Sequence, residues 1–277
     1  MSAILGIDAA WTEGEPSGVA LVARTRRAWK VVAAAPSYAA FVACDRGAPV
    51  DWQKRPAGSR PDIAGLLEAA RRMTPAEIRV VAIDMPVAKL PFSTRRSADI
   101  GISKAFGARG CSTHSPSVRP GALGRRLMDQ LDARGFPLET SRRGKRSRPC
   151  TIEVYPHAAL LALLACDYRV PYKVSRSLRY WPGASRRQRI ENILSQLRRV
   201  SAGLADVFGR LPVPMPSAGE VQSLVALKKY EDALDAIVCA WVGTRFLEGT
   251  AQPYGDDVAA IWVPEALSTL PASRVTP

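Results

Sequence analysis

Apolar and polar positions along this chain follow two designs. The first is a short apolar run that ends on a carboxylate. Ile4-Leu5-Gly6-Ile7-Asp8 has this form, followed by Ala9-Ala10-Trp11, and Val80-Val81-Ala82-Ile83-Asp84 repeats it before Met85-Pro86. Short apolar runs bounded by turn-forming residues predict buried strands. Residues 19–23 and 29–34 predict two more. Thr12-Glu13-Gly14-Glu15-Pro16-Ser17-Gly18 has turn chemistry, and Arg24-Thr25-Arg26-Arg27 is a short basic link. The first three strands are therefore expected to form an antiparallel meander.

The second design is helical. Asp62 stands before Ile63-Ala64-Gly65-Leu66-Leu67-Glu68-Ala69-Ala70 and is placed to cap that helix. A helix between two strands of one sheet implies a right-handed crossover to the Asp84 strand. Shorter or less regular patterns predict helices over residues 38–42, 125–133, 158–165 and 188–200. A long helix is expected over about 217–247, with Lys229-Tyr230 as a candidate break. Thr151-Ile152-Glu153-Val154-Tyr155-Pro156-His157 reads as a strand leaving through Pro156, and residues 261–264 as a last strand. Residues 87–150 and 167–216 do not fit compact strand–helix units and read as insertions beside the strand ends. The whole is expected to be one domain over 1–265, with a loose tail over 266–277. There is no internal repeat and no heptad run.

A chain of 277 residues, 47% hydrophobic and 23% charged, has ordinary globular composition. It lacks a run of about 18 apolar residues, so no membrane span is expected. The N-terminus lacks the pattern of a secretory signal. Cys44, Cys111, Cys150, Cys166 and Cys239 are scattered without a CxxC pair, and His114 and His157 are the only histidines. That argues against zinc and for reduced thiols in a cytoplasm.

Charge changes the picture. Lys and Arg number 39 against 25 Asp and Glu, with a pI near 10.1. Residues 107–150 hold ten Lys/Arg and three Asp/Glu, and residues 169–199 hold nine and one. The two tracts thus net +15, against +14 for the whole chain. Such tracts favour a polyanionic partner, nucleic acid first, through neutralised phosphates. Tyr172, Tyr180 and Trp181, interleaved in the second tract, are candidates to stack on bases. The plainer reading is a solvated basic surface.

The acidic residues carry the candidate chemistry. Asp8 and Asp84 end two strands. Asp232 and Asp235 lie three apart in a helical pattern, hence on one face. Glu153 is a further candidate. Each is open to a turn or capping role when taken singly. As a set they would repel one another without a cation, and Mg²⁺, or Mn²⁺ in its place, suits carboxylates plus substrate phosphate.

In order and spacing the chain resembles the ribonuclease H-like fold: a strand ending in Asp, two more strands, a helix, a second strand ending in Asp, and a late helix with Asp-x-x-Asp. It is similar in arrangement to the Holliday-junction resolvases. More narrowly, Gly6-Ile7-Asp8-Ala9-Ala10-Trp11, Ala82-Ile83-Asp84-Met85-Pro86, the segment with Arg96, Asp99 and Gly110-Cys111-Ser112, Glu153-Val154-Tyr155-Pro156-His157, Tyr172-Lys173 and Asp232-Ala233-Leu234-Asp235-Ala236 resemble a bacterial family of unknown function predicted to contain ribonuclease H-like nucleases. The resemblance implies an α/β fold with a ribonuclease H-like mixed sheet, an antiparallel three-strand meander plus parallel strands, flanked by helices and carrying basic insertions. It also implies a metal-dependent nuclease. Two ions about 4 Å apart would activate water and stabilise the leaving oxygen. Asp8 would bridge them, Asp84 would hold one, and Asp235 with Asp232 the other. Resolvases commonly carry Glu where this chain has Asp84, one methylene shorter, and Glu153 is placed either to compensate or to hold a substrate or a basic loop.

Arg96 and Lys173 are candidates to neutralise charge developing on phosphorus. Arg119 and Arg176 are further candidate substrate contacts. His114 is either a proton shuttle or a hydrogen-bonded loop residue, and His157 is better read as capping the helix after Pro156. Two rival functions stand beside the nuclease. One is a non-catalytic module that binds nucleic acid or protein. The other is a phosphotransferase of the related sugar kinase and ATPase group, disfavoured because no Walker A sequence or Gly-rich phosphate loop is present.

Overall fold

The structure is a computed structural model that describes residues 1–26, 28–113, 122–142 and 148–266. His114, Arg119, most of the basic tract at 143–147 and the tail expected after 266 lie outside the described residues.

Among the described residues, seven strands form one open sheet: β1 (Ser2–Asp8), β2 (Gly18–Arg24), β3 (Trp29–Ala35), β4 (Glu77–Asp84), β5 (Cys150–Val154), β6 (Ala251–Gly255) and β7 (Ala260–Pro264). Their order is β3-β2-β1-β4-β5-β7-β6. The meander β1–β2–β3 is antiparallel, β1, β4, β5 and β7 run parallel, and β6 turns back on β7. The expected mixed sheet is present. β6 was not anticipated, because Ala-Gln-Pro-Tyr-Gly lacks an apolar alternation.

Helices cover both faces. α1 (Tyr38–Cys44), α2 (Ile63–Met73) and α4 (Ala122–Asp132) lie on one side, with α3 (Ser97–Phe106) beside β6 and β7. α5 (Pro156–Leu163), α7 (Arg186–Phe208) and α8 (Lys228–Leu247) lie on the other, and α6 (Ser177–Tyr180) is a single turn. Local signals start several of them. Asp62 Oδ1 accepts the Gly65 N–H at 3.0 Å. Ser185 and Gln188 form a reciprocal capping box. Pro156 opens α5 at its first turn.

Strand alternation sorts the core. Ile4, Val80, Ala82, Ile152 and Val154 pack towards α7 and α8, whereas Leu5, Ile7, Val81 and Ile83 pack towards α1, α2 and α4. Leu127, Met128 and Leu131 of α4 and Ile193, Leu194 and Leu197 of α7 are buried in these two cores. The segments expected as insertions thus supply parts of the helical layers.

The expected helix over 217–247 is corrected. Short turns occupy Ala218–Glu220 and Leu224–Leu227, and α8 starts only at Lys228. From Lys229 to Thr244 every residue of α8 is buried. A helix buried all round belongs to the centre of a fold rather than its surface. Glycine lets it approach. A Cβ on Gly6 would stand 2.1 Å from the Ala236 carbonyl oxygen, and one on Gly18 would stand 2.0 Å from that of Asp232. Backbone contact this close sets the N-terminal half of α8 directly over the ends of β1 and β2. Among the described residues no helix is long and apolar enough to cross a membrane.

Candidate active site

Asp8 and Asp84 are register partners on adjacent parallel strands. Neighbouring strands lie about 4.8 Å apart, so the two carboxylates leave the sheet side by side. The chain leaves β1 towards β2 and leaves β4 towards β5, on opposite sides. A crevice at the carboxyl ends of strands whose connections diverge is the usual ligand position in open α/β sheets. Here it is a cleft of about 1150 Å³. Asp8, Asp84, Asp232, Lys173, Lys228 and Lys229 line it, with Trp11 and the 53–58 loop as a wall.

Both strand-end carboxylates are half-buried. Among the described residues, no group donates a hydrogen bond to either. Burial pushes the Asp84 carboxyl well up, and the negative charges of Asp8, Asp235 and Glu153 add to that, against the pull of Lys173. The pair is short of positive charge.

α8 adds three acidic groups on one face. Asp232 is buried; its Oδ1 accepts from Lys228, and its Oδ2 has no partner. Burial and the Asp8 charge push its carboxyl up. Glu231 accepts the Val174 N–H at 2.7 Å and pairs with Lys228 at 3.0 Å and Lys173 at 3.4 Å. Burial alone would raise it, but the two ammoniums and that N–H hold it below the ordinary range. Asp235 is fully buried, with one oxygen on the Tyr172 hydroxyl at 2.7 Å and the other on the Lys173 ammonium at 2.5 Å. Burial lifts it to about 6, with Asp8 and Glu231 adding and Lys173 opposing.

Whether this donor set suits a divalent cation is decided by which oxygens are open. Asp8, Asp84 and Asp232 Oδ2 are open, and the buried, partnerless Oδ2 is the kind of atom a cation satisfies. Among the described residues no three His, Cys, Asp or Glu side chains close on a point by themselves. Mg²⁺ does not require that, because it keeps several waters and needs one or two carboxylates plus phosphate. One cation at Asp8 and Asp84 fits. A ligand role for Asp235 does not, since both its oxygens are held and it does not line the cleft.

Glu153 and Arg96 are likewise placed apart from the cleft. Glu153 is in register with Ile83, not Asp84, so it projects to the opposite face of the sheet. There Arg96 grips it through two bonds of 2.6 and 2.7 Å, and the Val87 N–H donates at 3.1 Å. Arg96 also binds Asp99 through Nε and Nη2, both at 3.0 Å, and the Val87 carbonyl at 2.5 Å. All three side chains are buried. The charged groups of Arg96 and Glu153 are thus engaged within the protein, away from the cleft. They tie the segment after β4 to β5. Breaking such a buried pair costs about 3–5 kcal/mol.

Tyr172, expected to stack on a base, is fully buried beneath Asp235. Tyr180 and Trp181 are half-buried and pack edge to face. Arg176 follows Lys173 in a short turn and is not among the cleft-lining residues. Lys228 and Glu231 were missed as site residues. The signal for Lys228 is its i,i+4 spacing from Asp232.

A family model described as "Protein of unknown function (DUF429)" matches residues 6–260. No curated protein and no solved structure matches the chain.

Proposed function

The chain belongs to that family of unknown function, and from this premise we propose that the cleft hydrolyses phosphodiester bonds of a nucleic acid with Mg²⁺ or Mn²⁺ held at Asp8 and Asp84. The observation that carries this reading is the in-register pair of carboxylates without hydrogen bonds, open to a cleft that lysines also line. Acidic and basic groups side by side suit a metal–phosphate pair, in which carboxylates meet the cation and ammoniums meet the phosphate oxygens.

A divalent cation bound there would polarise the phosphoryl oxygen and make its bound water a better nucleophile. Net, water adds across one P–O ester bond: its oxygen bonds to phosphorus, the ester oxygen departs, and one proton passes from the water to the leaving oxygen. Asp8 and Asp84 orient the water side of this exchange. Lys173, fixed at the cleft wall, neutralises charge on the phosphoryl oxygens. Lys228, whose side chain is exposed at the cleft edge, attracts the polyanion. The five cysteines are free thiols, which goes with the cytoplasmic setting that we propose for it.

A second reading, a binding module for nucleic acid or protein without catalysis, takes support from the lysines that already neutralise Glu231, Asp232 and Asp235. One experiment separates the two. Single-stranded, duplex, hybrid and four-way-junction substrates are incubated with Mn²⁺ and either the natural chain or Asp8→Asn. The nuclease reading expects cleavage of at least one substrate, reduced at least a hundredfold by the substitution. Binding that survives Asp8→Asn, with no cleavage by either protein, establishes the binding module instead.

A further inference from the structure

Resting on the metal–carboxylate reading above, we propose that the site takes one divalent cation per chain, and that Lys173 supplies the second positive charge with Tyr172, Glu231 and Asp235 as its positioning residues. Five carboxylates lie in or beside the cleft, but their oxygens are not equivalent. Both oxygens of Asp235 are engaged, by Tyr172 and by Lys173. Glu231 is held by Val174, Lys228 and Lys173. Asp232 Oδ1 is held by Lys228. What remains open is Asp8, Asp84 and Asp232 Oδ2, which suffices for one cation.

A second cation at Asp235 would have to displace the lysine. Lys173 Nζ is 2.5 Å from Asp235 Oδ2, and a divalent ion on that oxygen would face an ammonium at close range. The lysine is also well anchored. Three consecutive residues form a strap across α8: Tyr172 donates its hydroxyl to Asp235, Lys173 its ammonium to Asp235, and Val174 its N–H to Glu231. Glu231 and Asp235 are one helical turn apart, so the strap follows the helix axis. Tyr172 and Asp235 are completely buried, whereas the Lys173 side chain retains 17% exposure and lines the cleft. The strap thus fixes a cation whose free face is turned towards Asp8 and Asp84. In phosphoryl transfer such a preorganised charge acts without reorganisation during the reaction.

The test counts Mn²⁺ bound to the full chain by equilibrium dialysis with paramagnetic resonance. The expected stoichiometry is one, lost in Asp8→Asn and kept in Asp235→Asn. Lys173→Met frees Asp235 Oδ2 and removes one of the three partners of Glu231, so its stoichiometry should rise from one towards two. The same substitution should lower cleavage on the order of a hundredfold while the first Mn²⁺ still binds. Two Mn²⁺ on the natural chain, one of them lost in Asp235→Asn, would overturn this inference and leave the metal–carboxylate reading standing. No bound Mn²⁺ on the natural chain would overturn both. The count on the natural chain decides even where a variant fails to fold.

Discussion

At the scale of single residues, the direction in which a side chain leaves its strand decides its role. Glu153 and Asp84 sit near each other at the ends of neighbouring strands, yet one serves Arg96 and the other faces the cleft. A shift of one position along a strand reverses the face. His157 shows a second residue-scale effect. It is buried, and its Nε2 lies 2.5 Å from Arg169 Nη2. Arginine can only donate, so Nε2 accepts and the imidazole proton resides on Nδ1, which has no partner. Burial, then the charges of Lys173, Arg169 and Arg176, push this histidine well below its ordinary 6.5. A base whose pKa falls on folding is protonated first in the unfolded chain. Its contribution is intact above about pH 6.5 and is lost as pH falls towards the depressed folded value. Urea unfolding from about pH 7.5 to about pH 5.5 should therefore show a smaller loss of stability in His157→Gln than in the natural chain. Equal losses would mean that His157 is not the titrating group.

At the scale of elements, α8 organises the site because it is the most buried helix and touches the sheet most closely. Trp241 and Phe246 are fully buried in it and contribute about 1.5–3 kcal/mol each or somewhat more. Its acidic residues are held in this apolar setting by the 172–174 strap and by Lys228. The close approach depends on Gly6, where an added methyl group meets backbone at 2.1 and 2.7 Å. Backbone cannot swing aside as a side chain can. Gly6→Ala should cost at least about 3 kcal/mol, the upper end of ordinary overpacking. Denaturant unfolding measures it, and a cost below about 1 kcal/mol would show that α8 is free to shift away from β1.

At the scale of the whole molecule, the net charge of +14 has two parts. Many arginines fasten the chain to itself. Arg186 donates to the Gln222 carbonyl at 2.8 Å, Arg187 to that of Ala218 at 2.8 Å, and Arg198 to that of Pro216 at 2.7 Å. Arg109 holds the carbonyls of Cys166 and Asp167. These residues keep their charge, yet their geometry is set by the fold and not by a ligand. Lys173, Lys228 and Lys229 instead line the cleft, where the proposed function has ammoniums meet phosphate. If the partner is a nucleic acid, its affinity should fall on the order of tenfold or more between roughly 50 and 200 mM salt. Fluorescence anisotropy with a labelled duplex and a labelled single strand measures this, and affinity independent of salt would exclude a polyanion as the partner.

The features legible along the chain follow from local physics. Short apolar runs ending in Asp8 and Asp84, the meander after the first, the Asp62 cap and the one-faced pair Asp232 and Asp235 were legible because strand and helix periods, turns and caps depend on near neighbours. Membership of the cleft was legible for Asp8, Asp84 and Asp232 on the same grounds, whereas Lys173 stood out only through the Tyr172-Lys173 resemblance and its basic tract. The tertiary structure alone decided how these residues are partnered. Arg96 and Glu153 are 57 positions apart, and Lys173 and Asp235 62 apart; no local period connects them. The burial of Tyr172, the late start of α8 and the use of arginines as ties on backbone carbonyls are likewise products of packing. A carboxylate is open to metal or closed on a lysine according to what long-range packing sets against it, because burial makes an unpaired charge costly and selects the partner that removes the cost.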